Sequence, residues 1–78
     1  MTEGRSAVLA NARGMLAELR REIPSLPPDE RREIRRVTAL AKDPGKGGRS
    51  VIEFASRADT GQRARTVALC IAVLRGWM

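Results

Sequence analysis

The sequence predicts a small all-α domain of four helices, and three observations support this fold class. Apolar residues recur at spacings of three and four in the first half of the chain, as one face of a helix requires. Prolines and glycines divide the chain into four segments of helical length. The last segment contains eight consecutive apolar residues, Val67 to Leu74, and a helix that is apolar on every side is buried by several neighbours.

The first helix is predicted from about residue 5 to residue 23. Its apolar stripe consists of Leu9, Ala12, Leu16, Leu19 and Ile23. Pro24 ends the helix, because proline has no amide hydrogen and disfavours helical geometry in the residue before it. The short, stiff link that follows favours a second helix folded back antiparallel to the first.

The second helix is predicted from about residue 28 to residue 42. Pro28 suits the first helical position, and the carboxylates that follow it are favoured by the helix dipole. The apolar stripe is narrower and consists of Ile34, Val37, Leu40 and Ala41. Two interpretations fit the run R-R-E-I-R-R over residues 31–36. The preferred one is a solvated face partly paired with Glu30 and Glu33, and the other is a nucleic-acid contact.

Residues 43–49, D-P-G-K-G-G-R, form the clearest predicted loop, because Pro44 ends the second helix and three glycines give the backbone freedom. This loop does not match the phosphate-binding pattern G-x-x-x-x-G-K-[ST]. It is therefore interpreted as a linker, or as a flexible basic loop able to touch a phosphate backbone. A capping box of Ser50 and Glu53 then predicts a short third helix over about residues 51–58.

The fourth helix is predicted from about residue 60 to residue 75, with Asp59 or Thr60 as its N-cap. Gly76 is expected to terminate this helix, and Trp77 is expected to fold back onto the core. The predicted architecture is one domain over residues 1–78. In it, two longer antiparallel helices and a short third helix surround a central, apolar fourth helix.

The composition argues against several classes of function. The chain has no histidine or tyrosine and a single cysteine, Cys70, which disfavours catalysis, a metal site and a cofactor. Eight apolar residues are far fewer than the roughly 20 that span a bilayer. The N-terminus lacks a signal-peptide core, so a cytoplasmic protein is expected. Together these features predict a non-enzymatic protein without membrane attachment. A domain of this length buries only about 60% of its unfolded surface and needs further stabilisation. Since a single cysteine excludes an internal disulfide and a metal site is disfavoured, and since the last helix is apolar on every side, a homodimer is predicted.

The net charge of +6 is concentrated in the last third of the chain. Residues 46–78 contain six basic and two acidic side chains, a net of +4. This excess lies around the predicted loop and the starts of the last two helices, and it predicts a DNA-binding regulatory protein. The residues expected to contact phosphates are Lys46, Arg49, Arg57, Arg63 and Arg65, and those expected to touch bases are Gln62 and Arg63.

A helix–turn–helix is one form that such a DNA contact can take. The third helix, the turn A-D-T-G and the fourth helix occur in the required order. However, only the first turn of the fourth helix is polar, whereas a recognition helix keeps a polar face along more of its length. A ribbon–helix–helix is disfavoured, because R-S-V-I-E-F lacks the alternation of a strand.

The alternative function is a protein-binding regulator, inhibitor or adaptor. Such a protein uses a helical face formed by the first two helices and makes no nucleic-acid contact. The same net charge of +6 would then serve to dock on an acidic protein surface.

Overall fold

A computed structural model describes residues 2–77, with side chains from Gly4 onward, and shows an all-α fold. The helices are α1 (Thr2–Glu22), α2 (Pro28–Ala41), α3 (Gly47–Ser56) and α4 (Gln62–Leu74). A short 3-10 turn, Ile23–Ser25, follows α1 directly. No strand occurs between residues 2 and 77, so the all-α fold class with four helices is confirmed.

Helix α4 lies at the centre of the domain and packs against each of the other three helices. Its buried residues are Ala64, Val67, Ala68, Cys70, Ile71 and Ala72. The prediction of a central apolar helix is therefore confirmed, and Cys70 is buried within it. One member of the apolar run departs from it, because Leu69 is 37% exposed. The neighbouring helices thus cover α4 on most sides but not on all.

Ion pairs at the start of α4 bring together one end of each of the longer helices. Glu22 at the C-terminal end of α1 and Glu30 near the N-terminal end of α2 both reach Arg63 in the first turn of α4. The C-terminal end of α1 and the N-terminal end of α2 therefore meet at the start of α4. The predicted antiparallel packing of α1 and α2 stays a prediction, because each of the two packs mainly against α4.

Helix α3 begins earlier than the sequence predicts. Ser50 donates its backbone N–H to the carbonyl of Lys46, so it lies within the first turn, and the helix has no side-chain cap. The predicted capping box of Ser50 and Glu53 is therefore wrong. The preceding segment is ordered by Asp43, whose carboxylate accepts the backbone N–H groups of Gly45 and Lys46. The expected flexible loop is thus a short turn followed directly by helix.

The glycines at the start of α3 allow a tryptophan to approach the backbone closely. A β-carbon on Gly48 would lie 3.1 Å from three atoms of the Trp77 indole, and one on Gly47 would lie 3.1 Å from the Leu40 carbonyl oxygen. Trp77 packs against the core, as predicted. Contact with a distant indole, rather than loop flexibility, therefore accounts for the Gly-Gly pair.

Both ends of α4 have defined caps. Its N-cap is Gly61 rather than the predicted Asp59 or Thr60, and the Thr60 hydroxyl instead donates to the Phe54 carbonyl at 2.7 Å. At the C-terminus Gly76 adopts a positive φ of 75°. Gly76 N–H donates to Val73 and Trp77 N–H donates to Ala72, which is the Schellman pattern. Gly76 therefore terminates the helix as predicted.

Candidate nucleic-acid interface

Arg63 lies in the first turn of α4 and is engaged with acidic residues of two other helices. Its Nη1 donates to both carboxylate oxygens of Glu30 at 3.2 Å. Its Nε lies 3.7 Å from a carboxylate oxygen of Glu22. The Arg63 side chain is 47% exposed, so it joins three helices while still facing solvent. A phosphate at this position would compete with Glu30 for the guanidinium.

Arg65 is directed inward, toward the turn that joins α3 and α4. Its Nη2 donates to the carbonyl of Arg57 at 2.8 Å and to that of Thr60 at 3.3 Å. Its Nε is buried and has no hydrogen-bond partner among the described residues. This guanidinium therefore holds the turn in place, and it is the least accessible of the predicted phosphate contacts.

The remaining four predicted contacts are exposed but separated. Arg57 follows the last turn of α3 and lies 3.7 Å from Asp59, and Gln62 is the first residue of α4. Lys46 and Arg49 lie at the opposite end of α3. The structure thus places the six predicted residues at the two ends of α3 rather than in one continuous patch.

The predicted helix–turn–helix uses α4 as the helix that enters the groove. Beyond its first turn, α4 is largely enclosed by the other three helices. Its fully exposed polar side chains are Gln62 and Arg63, within the polar first turn that the sequence pattern indicated. A duplex can therefore meet this helix at its N-terminal end but not along its length.

A second basic surface lies on α2. We refer to Arg31, Arg32, Arg35 and Arg36 together as the α2 arginine face. Ile34 and Val37 turn the other side of the helix into the core. Three of the four arginines are exposed, and Arg31 is partly buried. No ion pair or side-chain hydrogen bond joins any of the four to another described residue.

The two glutamates of α2 are directed away from its arginines. Glu30 binds Arg63, and Glu33 accepts the backbone N–H of Gly61 at 3.2 Å. Both carboxylates are therefore directed toward the start of α4, away from the arginines. The preferred sequence interpretation, a face partly paired with Glu30 and Glu33, does not describe this arrangement. The signal available in the sequence was the apolar spacing, which places both glutamates on the core side of the helix.

A groove between α2 and α3 extends the α2 arginine face. It has a volume of about 570 Å³. Arg36 and Leu40 of α2 line one part of it, and Ser50 and Glu53 of α3, with Arg57 directly after that helix, line another. Arg57 is thus the one sequence-predicted contact that shares a surface with the α2 arginine face.

Comparisons with protein-family profiles, curated protein sequences and solved structures find no match for this chain. Within residues 2–77, no helix has the length and hydropathy needed to cross a bilayer.

Proposed function

We propose that this chain is a small, non-enzymatic regulatory protein that binds DNA, and that the α2 arginine face is its principal phosphate contact. One observation carries the proposal: four arginines share one side of a helix whose glutamates are directed elsewhere. Arg31 and Arg36 are five residues apart, which is about 7.5 Å of helix. Guanidinium groups at this density suit a phosphate backbone, because each can donate two parallel hydrogen bonds to one phosphate.

The predicted contacts outside α2 take secondary roles in this proposal. Arg57 lies across the groove from Arg36 and extends the basic surface onto α3. Gln62 and Arg63 remain the candidates for base contacts, since they are the polar residues at the accessible end of α4. The pair between Arg63 and Glu30 is partly exposed. Pairs of this kind contribute at most about 1 kcal/mol, so exchange of Glu30 for a phosphate is inexpensive.

The test is a titration of labelled duplex DNA at several salt concentrations. We expect the affinity of the wild-type protein to fall steeply with salt, because bound phosphates release counterions. The triple variant Arg32→Gln/Arg35→Gln/Arg36→Gln should reduce the slope of log K against log salt by about 1 for each lost contact. Glutamine has nearly the helix propensity of arginine, so α2 should stay folded.

A matched control is available on α1. The variant Arg13→Gln/Arg20→Gln/Arg21→Gln removes the same charge from exposed positions of another helix. We expect it to lower affinity only slightly, through the net charge. Equal losses in the two variants would show that binding is nonspecific attraction to a +6 protein. Absence of DNA binding at low salt would contradict the proposal.

An acidic protein partner is the second candidate, and a cleft between α1 and α2 favours it. Helix α4 forms the floor of this cleft with Ile71 and Leu74, while Arg20, Lys42 and Arg75 also line it. An apolar floor with basic side chains around it suits a helix that carries acidic residues. In that case the α1 variant, which contains Arg20→Gln, would lose binding to the partner while the α2 variant would retain it.

A further inference from the structure

The groove between α1 and α4 differs from every basic surface described above. Its volume is about 370 Å³. The residues that line it are Val8, Asn11, Ala12, Met15, Thr66, Leu69, Cys70 and Val73, and we refer to this set as the α1/α4 apolar face. None of these residues carries a formal charge at neutral pH, although the chain has a net charge of +6.

Most of the large apolar side chains that the structure leaves in solvent lie on this face. Val8 is 53% exposed, Met15 is 49% exposed and Leu69 is 37% exposed. The remaining large exposed side chain among the described residues is Ile52 of α3. A cluster of this kind on a small domain marks an interaction surface, whereas apolar residues scattered singly do not.

Helix α1 is also packed against other helices along only part of its surface. Apart from the turn that follows it, α4 is the helix against which it packs, and every described residue from Gly4 to Val8 is exposed. Long helices in proteins gain most of their stability from packing of their apolar side. The exposed part of α1 thus lies beside the α1/α4 apolar face and is left without cover.

We propose that the α1/α4 apolar face binds the same face of a second copy of this chain, across a two-fold axis that passes close to Asn11 and perpendicular to α1. The two α1 helices related by such an axis are antiparallel. Val8 and Met15 are nearly equidistant from Asn11 along the helix, so Val8 of each copy meets Met15 of the other. The large side chains then cover one another, as a self-complementary interface requires.

The single amide on this face supports a second copy as the occupant. Asn11 lies between Val8 and Met15 and would be buried by any apolar partner. An amide has both a donor and an acceptor group, so two Asn11 side chains related by a two-fold axis satisfy each other. A polar residue at such a position fixes the register of paired helices.

The charges beside the face also favour a second copy. Glu18 and Glu22 lie toward the C-terminal end of α1, seven residues beyond Asn11 and Met15 and therefore on their side of the helix, and Glu22 is also 3.7 Å from Arg63. Arg20 and Arg21 of the same end lie on other sides of the helix, and Arg5, seven residues before Ala12, lies toward the N-terminal end. A two-fold axis through the middle of α1 brings the end with Arg5 in one copy to the end with the two glutamates in the other. The uncharged centre allows two copies of a +6 chain to approach without facing cations.

The experiment is light scattering coupled to size-exclusion chromatography on the full chain without DNA, so its outcome is independent of the proposed function. The wild-type protein should elute with twice the chain mass of 8.6 kDa. Leu69→Glu should elute at the chain mass with unchanged helical circular dichroism, since the residue is already partly in solvent. Ile52→Glu is the matched control, because Ile52 and Leu69 are both 37% exposed, and it should remain dimeric.

A cross-linking variant tests the register. Cys70 lines the same groove, so the cysteine variants are made in a Cys70→Ala background. There Asn11→Cys should form an intermolecular disulfide under mild oxidation, since a disulfide needs Cα atoms within about 7 Å and only residues near the axis meet this limit. Ala17→Cys, on an exposed part of α1 away from the axis, should not. A wild-type monomer at about 100 µM would overturn the proposal. So would dissociation by Ile52→Glu to the same extent as by Leu69→Glu, or equal cross-linking of the two cysteine variants.

Discussion

Glu33 of α2 accepts the backbone N–H of Gly61 at 3.2 Å, and so caps the start of α4 from a different helix. In a capping box, a glutamate three residues into the helix makes this bond to its own N-cap. Here no side chain of α4 performs that function. The bond from Gly61 to Glu33 fixes which side of α2 faces α4. It therefore also fixes the direction of the arginines on the opposite side of α2.

Replacing Glu33 should therefore destabilise the fold. We expect Glu33→Ala to lower the free energy of unfolding by about 1–2 kcal/mol, because it removes a charged acceptor from a partly buried amide. The measurement is urea unfolding followed by circular dichroism at 222 nm. Glu53→Ala on the exposed side of α3 is the control and should change stability by less than about 0.5 kcal/mol. Equal effects of the two changes would refute the cross-helix cap.

Replacing glycine by alanine should change the stability in opposite directions at two positions. Gly76 has a φ of 75°, so Gly76→Ala should cost about 1–2 kcal/mol of stability. Gly14 lies within α1, and an added β-carbon meets no atom within 4 Å. Gly14→Ala should therefore stabilise the protein by up to about 1 kcal/mol. Melting temperatures of the two variants, compared with the wild type, provide the check; a rise for Gly76→Ala would contradict the assigned helix terminus.

The contact between the start of α3 and the segment that follows α4 can be measured through Trp77, the single tryptophan. A β-carbon on Gly48 would lie 3.1 Å from the indole, so Gly48→Ala should move the indole outward. We expect its fluorescence emission to shift to longer wavelength, as it does on exposure to water. Gly4→Ala is the control, because an added β-carbon there meets no atom within 4 Å. An unchanged emission maximum in Gly48→Ala would show that the indole does not lie against this glycine.

The turn before α3 should respond to pH through Asp43. Hydrogen bonds from the backbone N–H groups of Lys46 and then Gly45 lower the pKa of Asp43. A lowered pKa in the folded state means that the carboxylate stabilises the fold above the ordinary aspartate pKa of about 4, and that this contribution is lost as the pH falls through the lowered value. Asp43→Ala should therefore be less stable than the wild type at pH 7, and the difference should shrink toward pH 2. A difference independent of pH would show that the charged carboxylate is not involved.

Cys70 should be chemically protected in the native state. Its side chain is buried, and that burial raises the pKa of the thiol. The thiolate is the reactive form, so the native protein should react slowly with a disulfide reagent such as dithiobis(nitrobenzoic acid). Addition of urea through the unfolding transition should restore a rapid reaction. Rapid reaction of the folded protein would contradict the central, enclosed position of α4.

The sequence predicts the helices best where the signal is local. Helix α1 is correctly indicated by the spacing of Leu9, Leu16 and Leu19. The apolar run of α4 correctly indicates both that helix and its central position. Pro28 also correctly marks the start of α2. Each of these signals lies within the element that it predicts.

Contacts between distant residues account for what the sequence did not reveal. Gly47 and Gly48 resemble a loop until Trp77, 29 residues beyond Gly48, is placed against them. From the sequence, the α2 arginines are expected to form local ion pairs with Glu30 and Glu33. In the structure Glu30 instead binds Arg63, 33 residues away. The inward orientation of Arg65 likewise depends on carbonyl groups of the preceding turn. Helical periodicity shows which residues share a face, but it does not show what that face meets.

The most direct test of the proposed interface is an NMR titration of the arginine side-chain Nε–H signals with a short duplex DNA. The signals of Arg32, Arg35 and Arg36 should shift first and most, because their guanidinium groups are exposed and have no described partner. The signal of Arg65 should stay in place, since two carbonyl groups hold its guanidinium. Shifts confined to Arg63 and Arg65, or spread evenly over the arginines of α1 and α2, would contradict a binding surface on α2.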